Sequence, residues 1–224
     1  MKEGRSTSDD AKDEFVRDIN VLIERLVSKM GDDRRTSLNK VAEKMFELRR
    51  RGKAKINHSA MEILSAAHLL RSGYEVDVER ELDEVLVCDV YGMKGGGVHI
   101  IEVETGFTPP EAALDPQRYL RARAVSKIAR YSKYADRFSL ATPMYNILDI
   151  PMPLLKPPRE RHGQEIAELK QLCDIYYTRP PIAVEELTNS RLHSVLVLDI
   201  DNMTVWEFSP EQYHEKVLTH VLFK

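Results

Sequence analysis

The chain has 224 residues, 42% apolar and 31% charged, with 33 Lys and Arg against 36 Asp and Glu, and a pI near 6.2. This balance excludes a protein that is basic throughout, so any nucleic-acid site has to be a local patch. Two cysteines, Cys88 and Cys173, exclude a disulfide framework and a multi-cysteine zinc site. No apolar run approaches the roughly 18 residues of a membrane span, and residues 1–13 carry no apolar signal core; a cytoplasmic protein with no membrane partner is expected.

Residues 1–12 read as a short polar tail. Phe15, Ile19, Leu22, Ile23, Leu26, Val27 and Met30 recur at helical spacing, and Gly31 follows as a helix C-cap glycine would. A second amphipathic run uses Leu38, Val41, Ala42, Met45, Phe46 and Leu48 and closes in Arg49, Arg50, Arg51, Lys53 and Lys55. Those cations suit a solvated helix end or, on a sharper reading, a phosphate-contacting cluster. Residues 1–55 are thus expected as an N-terminal helical extension, with residues 56–224 as the core and its C-terminal elaboration.

From His58 to Ser72 the sequence is apolar nearly all round, which predicts a buried helix. Tyr74, Val76 and Val78 then alternate with Glu75, Asp77 and Glu79, the period of a half-buried strand. Val85–Tyr91 is an apolar strand broken only by Asp89, Lys94–Gly97 is a turn, and Val98–Glu104 is a third strand. Pro116–Ala135 predicts a long helix and Phe138–Thr142 a short buried strand, while five prolines make Pro143–Pro158 an irregular connector. Glu160–Tyr177 can be helical. Val195–Ile200 and Thr204–Phe208 flank Asp201-Asn202 as a hairpin, and Ser209, Pro210 and Gln212 open a last helix as a capping box.

The informative residues are Asp89, Glu102 and Glu104. An acid inside a buried apolar strand is costly unless it is paired, hydrogen-bonded or bound to a metal. Glu102 and Glu104 are two apart, so both project from the face of Val98 and Ile100, roughly 7 Å from one another along the strand. If the two strands pair as a hairpin, Asp89 and Glu102 approach across the ladder. Carboxylates converging in this way form an oxygen-ligand site for Mg²⁺ or Mn²⁺; the bland alternative is strand ends turning into solvent.

The order helix, strand, strand with Asp, glycine turn, strand ending Glu-x-Glu-Thr-Gly, then basic helix resembles the PD-(D/E)XK nuclease superfamily, the restriction-endonuclease-like fold, over roughly residues 56–143. Leu86-Val87-Cys88-Asp89 lies where that family carries its aspartate, with Cys88 in place of the proline, and Ile100–Gly106 lies where it carries hydrophobic–Glu-x-Lys. The resemblance implies a mixed β-sheet core flanked by helices, with the N-terminal helices and a C-terminal hairpin-helix as additions. It implies Glu62, Asp89 and Glu102 as metal ligands and Mg²⁺ or Mn²⁺ as cofactor. Glu104 stands where the family has its lysine, and Lys127, on the packing stripe of the following helix, is the substitute cation unless it extends along the helix to solvent.

That helix carries Arg118, Arg121, Arg123, Lys127, Arg130 and Lys133 with no acid between Pro116 and Ala135. It is the expected local patch, with Arg118, Arg121, Arg123, Arg130, Tyr131 and Lys133 contacting DNA, Tyr131 by stacking unless, like Tyr119 and Tyr134, it serves the core. The seven histidines, His58 to His220, show no ligand spacing; His58 is one turn before Glu62 and either flanks the site or is an ordinary polar residue. The expected function is metal-dependent hydrolysis of DNA phosphodiesters, with catalytic Glu62, Asp89, Glu102, Glu104 and Lys127 and a homodimer by analogy. The alternative is an inactive nuclease-fold module for nucleic-acid binding or assembly.

Overall fold

The computed structural model describes residues 7–53 and 55–219; residues 1–6 of the expected polar tail lie outside the described residues, as does His220. The rest of that tail is already helical, because α1 runs over Thr7–Met30. Gly31, at φ 100°, ends it in a conformation that disfavours a side chain. Helices α2 (Arg35–Arg50) and α3 (Ile56–Arg71) follow, then the antiparallel strands β1 (Glu75–Glu81), β2 (Val87–Lys94) and β3 (Gly97–Val103). Gly95 and Gly96, at φ 58° and 84°, make the two-residue turn between Lys94 and its partner Gly97, the mirror-image geometry that matches strand twist.

Strand β2 starts at Val87 rather than at the expected Val85. The Asp83 carboxylate accepts the backbone N–H groups of Val85 and Leu86 at 2.8 and 2.7 Å, holding this segment in a turn and leaving Val85 exposed. Helix α4 spans Pro116–Tyr131, with Asp115 capping the Arg118 N–H at 3.2 Å; the expected continuation to Ala135 becomes a tighter 3-10 turn over Ser132–Tyr134. After β4 (Arg137–Pro143), the proline-rich connector holds one helical turn, α5 (Met152–Leu155). Helix α6 (Gly163–Asp174) is shorter than the expected 160–177, and α7 (Val184–Asn189) has too few apolar positions to show a period in sequence. Strands β5 (Ser194–Asp199) and β6 (Thr204–Phe208) form the expected hairpin, and α8 (Pro210–Leu218) opens with Ser209 and Gln212 in a reciprocal capping box.

Among the described residues, six strands form one open mixed sheet in the order β1-β2-β3-β4-β5-β6, with β3, β4 and β5 parallel and the other neighbours antiparallel. The fold is α/β, with helices on both faces. On one face α3 crosses the sheet, and α1 and α2 cover α3: Ile19, Leu22, Leu38 and Met45 are buried in one cluster with Leu64, Val90, Ile101 and Leu196. Arg25 and Lys29 of α1 also donate to the carbonyls of Asp201 and Asn202 at the β5–β6 turn. The N-terminal helices therefore share the core of residues 56–224. The opposite face packs α4, α6, α7 and α8 through Val125, Ile128, Leu169, Leu187 and Tyr213 against Ile100, Phe138 and Val195. No described helix is long and apolar enough to cross a membrane.

A buried polar line crosses the sheet away from the acids. His99 Nε2 lies 2.8 Å from Ser139 Oγ, which lies 2.7 Å from Ser194 Oγ. Burial, then the charge of Arg137, lowers the His99 pKa from 6.5 to about 4. The unfolded chain thus binds a proton that the folded one refuses between those values, so this group's contribution is intact above pH 6.5 and is lost as pH falls towards 4. The 2.5-unit gap, 6.5 less 4, corresponds to about 3 kcal/mol. Denaturant titrations of the native chain and His99→Gln should show the native chain losing more stability between pH 7 and 4, and parallel acid profiles would contradict it.

Candidate metal centre

The site forms where β2 and β3 part. Their ladder runs from Lys94↔Gly97 to Val90↔Ile101 and goes no further. Beyond it, side chains replace the backbone partners: the Asp89 N–H donates to Glu102 Oε1 at 3.0 Å, and the Val103 N–H donates to Asp89 Oδ2 at 2.6 Å. The two acids that interrupt apolar strands therefore meet, and each holds the other's strand by a charge-assisted hydrogen bond. Glu104, one residue past β3, is also buried, at 3% exposure, and does not turn into solvent.

Helix α4 supplies the compensating charge. Lys127 Nζ lies 3.2 Å from Asp89 Oδ2, 3.1 Å from Glu102 Oε2 and 2.9 Å from Glu104 Oε1, and it donates to the Val103 carbonyl at 2.8 Å. Arg123, one turn earlier, lies 2.9 Å from Glu104 Oε2. Burial opposes a charged Lys127, but Asp89, Glu102 and Glu104 outweigh it and hold its pKa well above the usual lysine value. Burial would also raise the Asp89 pKa; the charge of Lys127, with the hydrogen bond from His58, overrides this and keeps it far below the usual carboxylate range. Glu102 goes the other way: burial and the neighbouring Asp89 push it up to about 8.

On the α3 side of the same aspartate lies a second cluster. One donor atom each from His58, Glu62, Glu79 and Asp89 falls within 4.8 Å of all the others. His58 Nε2 is 3.3 Å from Asp89 Oδ1 and 3.3 Å from Glu62 Oε1, yet Glu62 Oε1 has no hydrogen bond although the residue is only 1% exposed. Burial, opposed by the neighbouring His58 and reinforced by Asp89, raises Glu62 to about 8. Burial works against a charged His58, but the hydrogen bond to Asp89 and the adjacent Glu62 carboxylate carry it up to about 10. One imidazole and three carboxylates, one with a buried oxygen that makes no hydrogen bond, form a donor set that suits a divalent ion, which would take the neutralising place that the His58 imidazolium fills. The cluster opens into a cleft of about 540 Å³.

The expected ligands were Glu62, Asp89 and Glu102. Glu62 and Asp89 lie in the cluster together with His58 and Glu79, whereas Glu102 lies beside it with its oxygens on the Asp89 N–H and Lys127. The helical spacing of His58 and Glu62 was visible in sequence. Glu79 was not, because strand alternation assigned it to solvent. Its backbone takes φ 46°, and the β1–β2 ladder passes from Val78↔Val90 to Arg80↔Cys88 without pairing Glu79 to Asp89. A non-glycine residue in the left-handed region is costly and often marks a site.

The cations of the expected patch on α4 differ in direction and in partner. Arg118 and Arg121 lie near the helix start, with Arg121 3.5 Å from Asp149; Arg130 donates to the Pro180 carbonyl at 2.6 Å; Lys133 pairs with Glu186 at 2.8 Å. Arg123 joins Lys127 at the buried carboxylates, on Glu104. Tyr131 donates its hydroxyl to the Val87 carbonyl at 3.1 Å, Tyr119 meets Tyr176 edge to face, and Tyr134 bonds Asp83. A helix sends consecutive cations in different directions, and the acids that neutralise them sit on other elements. No protein-family model, curated protein or solved structure matches this chain.

Replacing Lys127 by Ala leaves Glu104 with Arg123, Asp89 with His58, and Glu102 with no cation in contact. A loss of about 3–5 kcal/mol at pH 7 is expected. The deficit should shrink towards pH 5, because acids whose folded pKa is raised above the unfolded value regain stability as they protonate. Urea unfolding at both pH values checks this, and an unchanged midpoint at pH 7 would be the contrary result.

Proposed function

We propose that the chain is a divalent-metal-dependent nuclease hydrolysing DNA phosphodiester bonds, with a core of the restriction-endonuclease-like, PD-(D/E)XK kind. The observation that carries the reading is Asp89, whose Oδ1 faces the imidazole and carboxylates open to the cleft while Oδ2 faces Lys127. The order of helix α3, strands β1 to β3, helix α4 and strand β4 agrees with the sequence resemblance.

In this reading His58, Glu62, Glu79 and Asp89 hold the ion, Mg²⁺ or Mn²⁺. A bound ion of this kind lowers the pKa of a water and polarises a phosphoryl oxygen. The protein's own part is positional. Lys127 keeps Asp89 ionised and fixes the ends of β2 and β3 through Val103 and Glu102. Arg123, beside Glu104 and lining the cleft, offers a planar guanidinium to a phosphate oxygen. Glu104, which replaces the family's lysine, serves by orienting these two cations.

A second reading, a nucleic-acid-binding or assembly module without cleavage, draws on one feature: Lys127 directs its donors to Asp89, Glu102, Glu104 and the Val103 carbonyl. Incubation with supercoiled plasmid and Mg²⁺ or Mn²⁺ separates the two. The native chain should nick the plasmid and Asp89→Asn should do so at least about a hundredfold more slowly; equal nicking by both would reject the enzyme. Metal binding has its own readout. At a hundred times its Kd, Mn²⁺ should stabilise the native chain by about 2.7 kcal/mol, about 5–10 °C in Tm. Glu62→Gln should lose most of that shift, and an unchanged shift would remove Glu62 from the ligand set.

A further inference from the structure

The cleft beside the acid cluster has walls that the metal alone does not use. One wall is apolar, from Met45 and Leu48 at the end of α2 and Ile56 at the start of α3. Phe107 and Tyr145 also line the cleft, aromatic rings left 58% and 76% exposed. They come from different loops, yet the loops are fastened together. Asn146 donates to the Glu104 carbonyl at 3.3 Å and to Thr142 Oγ1 at 2.9 Å. Its side chain also closes on Gly106, where φ is 76° and a Cβ would lie 2.4 Å from Asn146 Oδ1. Both rings are thus exposed on an anchored support, one residue away from this tie on either strand of the cleft's rim.

Unneutralised positive charge lies at the same opening. Lys53 and Lys55, in the α2–α3 connection, line the cleft, and Lys55 Nζ stands 5.6 Å from the Phe107 ring centre. Among the described residues neither lysine has a carboxylate within ion-pair distance, in contrast to Arg121, Arg123 and Lys133 of α4. Exposed ring faces, an apolar wall and free cations around a metal-ligand cluster complement a ligand that carries both an open aromatic face and phosphate. In duplex DNA each base face is covered by its neighbour; an unpaired strand leaves it available for stacking.

We infer that the cleft takes an unpaired stretch of a DNA strand, its bases against Phe107 and Tyr145 and its phosphates towards Lys53, Lys55 and Arg123. The inference rests on the nuclease reading for the chemistry at the acid cluster, and it names the substrate class. It also extends the phosphate-contacting surface from Arg123 of α4 to the connection between α2 and α3.

Fluorescence anisotropy in EDTA, with a labelled single strand and a hairpin duplex of the same sequence, tests it. The native chain should bind the single strand at least about tenfold more tightly than the duplex. Phe107→Ala and Tyr145→Ala should each weaken single-strand binding about five- to tenfold, without changing duplex binding or Tm. Lys53→Ala with Lys55→Ala should lower the salt slope for the single strand by about 1.4, two contacts at about 0.7 each. Equal or tighter duplex binding, or native affinity in both aromatic variants, would overturn the inference. If the single strand is preferred but no Asp89-dependent cleavage occurs with Mn²⁺, the nuclease reading fails and the strand site stands. If DNA is cut in an Asp89-dependent way but duplex is held as tightly as single strand, the strand site fails and the nuclease reading stands.

Discussion

Three carboxyl groups buried at one end of a sheet need a cation among them, and Lys127 is that cation. It reaches Asp89, Glu102 and Glu104 within 3.2 Å from the middle of α4. Desolvation of this kind is severe for either sign alone and tolerable only when the charges are matched and hydrogen-bonded. The requirement constrains much of the surrounding architecture. Helix α4 has to pass over the end of β3, β2 and β3 have to separate after Val90 and Ile101, and the freed backbone groups have to find acceptors. Asp89 and Glu102 meet all of these demands at once.

Asp89 also joins the two sides of the sheet. The α4 side is closed and internally neutralised by Lys127 and Arg123. The α3 side is open to a cleft and holds a buried glutamate oxygen with no hydrogen bond, along with an imidazole that its acidic neighbours keep protonated. An ion entering there would displace a proton rather than a structural lysine, so the framework can stay intact with or without metal. Under the proposed reading, this division assigns support to one face and chemistry to the other.

The N-terminal helices take part in both. Their apolar faces complete the core over α3, and the end of α2 forms one wall of the cleft. Lys53 and Lys55 meet no described acid, whereas Arg121 and Arg123 of α4, and Lys133 just after it, pair with Asp149, Glu104 and Glu186. The density of charge along one helix was therefore a poor guide to where free charge would emerge. Neutralising partners come from segments distant in sequence.

Local patterns in the chain determined a good deal. Continuous apolar runs located α3 and β2, period-2 alternation located β1, paired glycines set the β2–β3 turn, and Ser209 with Gln212 set the start of α8. In each case the interacting residues are within a few positions of one another. The cost of an acid in an apolar strand singled out Asp89 and Glu102 for the same reason. Tertiary structure alone decided how the acids divide between an ion and a lysine. That division depends on the left-handed turn at Glu79, on the rung missing between β1 and β2, and on α3 and α4 approaching one aspartate from opposite faces. Such convergence is set by packing of the whole sheet, which no window along the sequence contains.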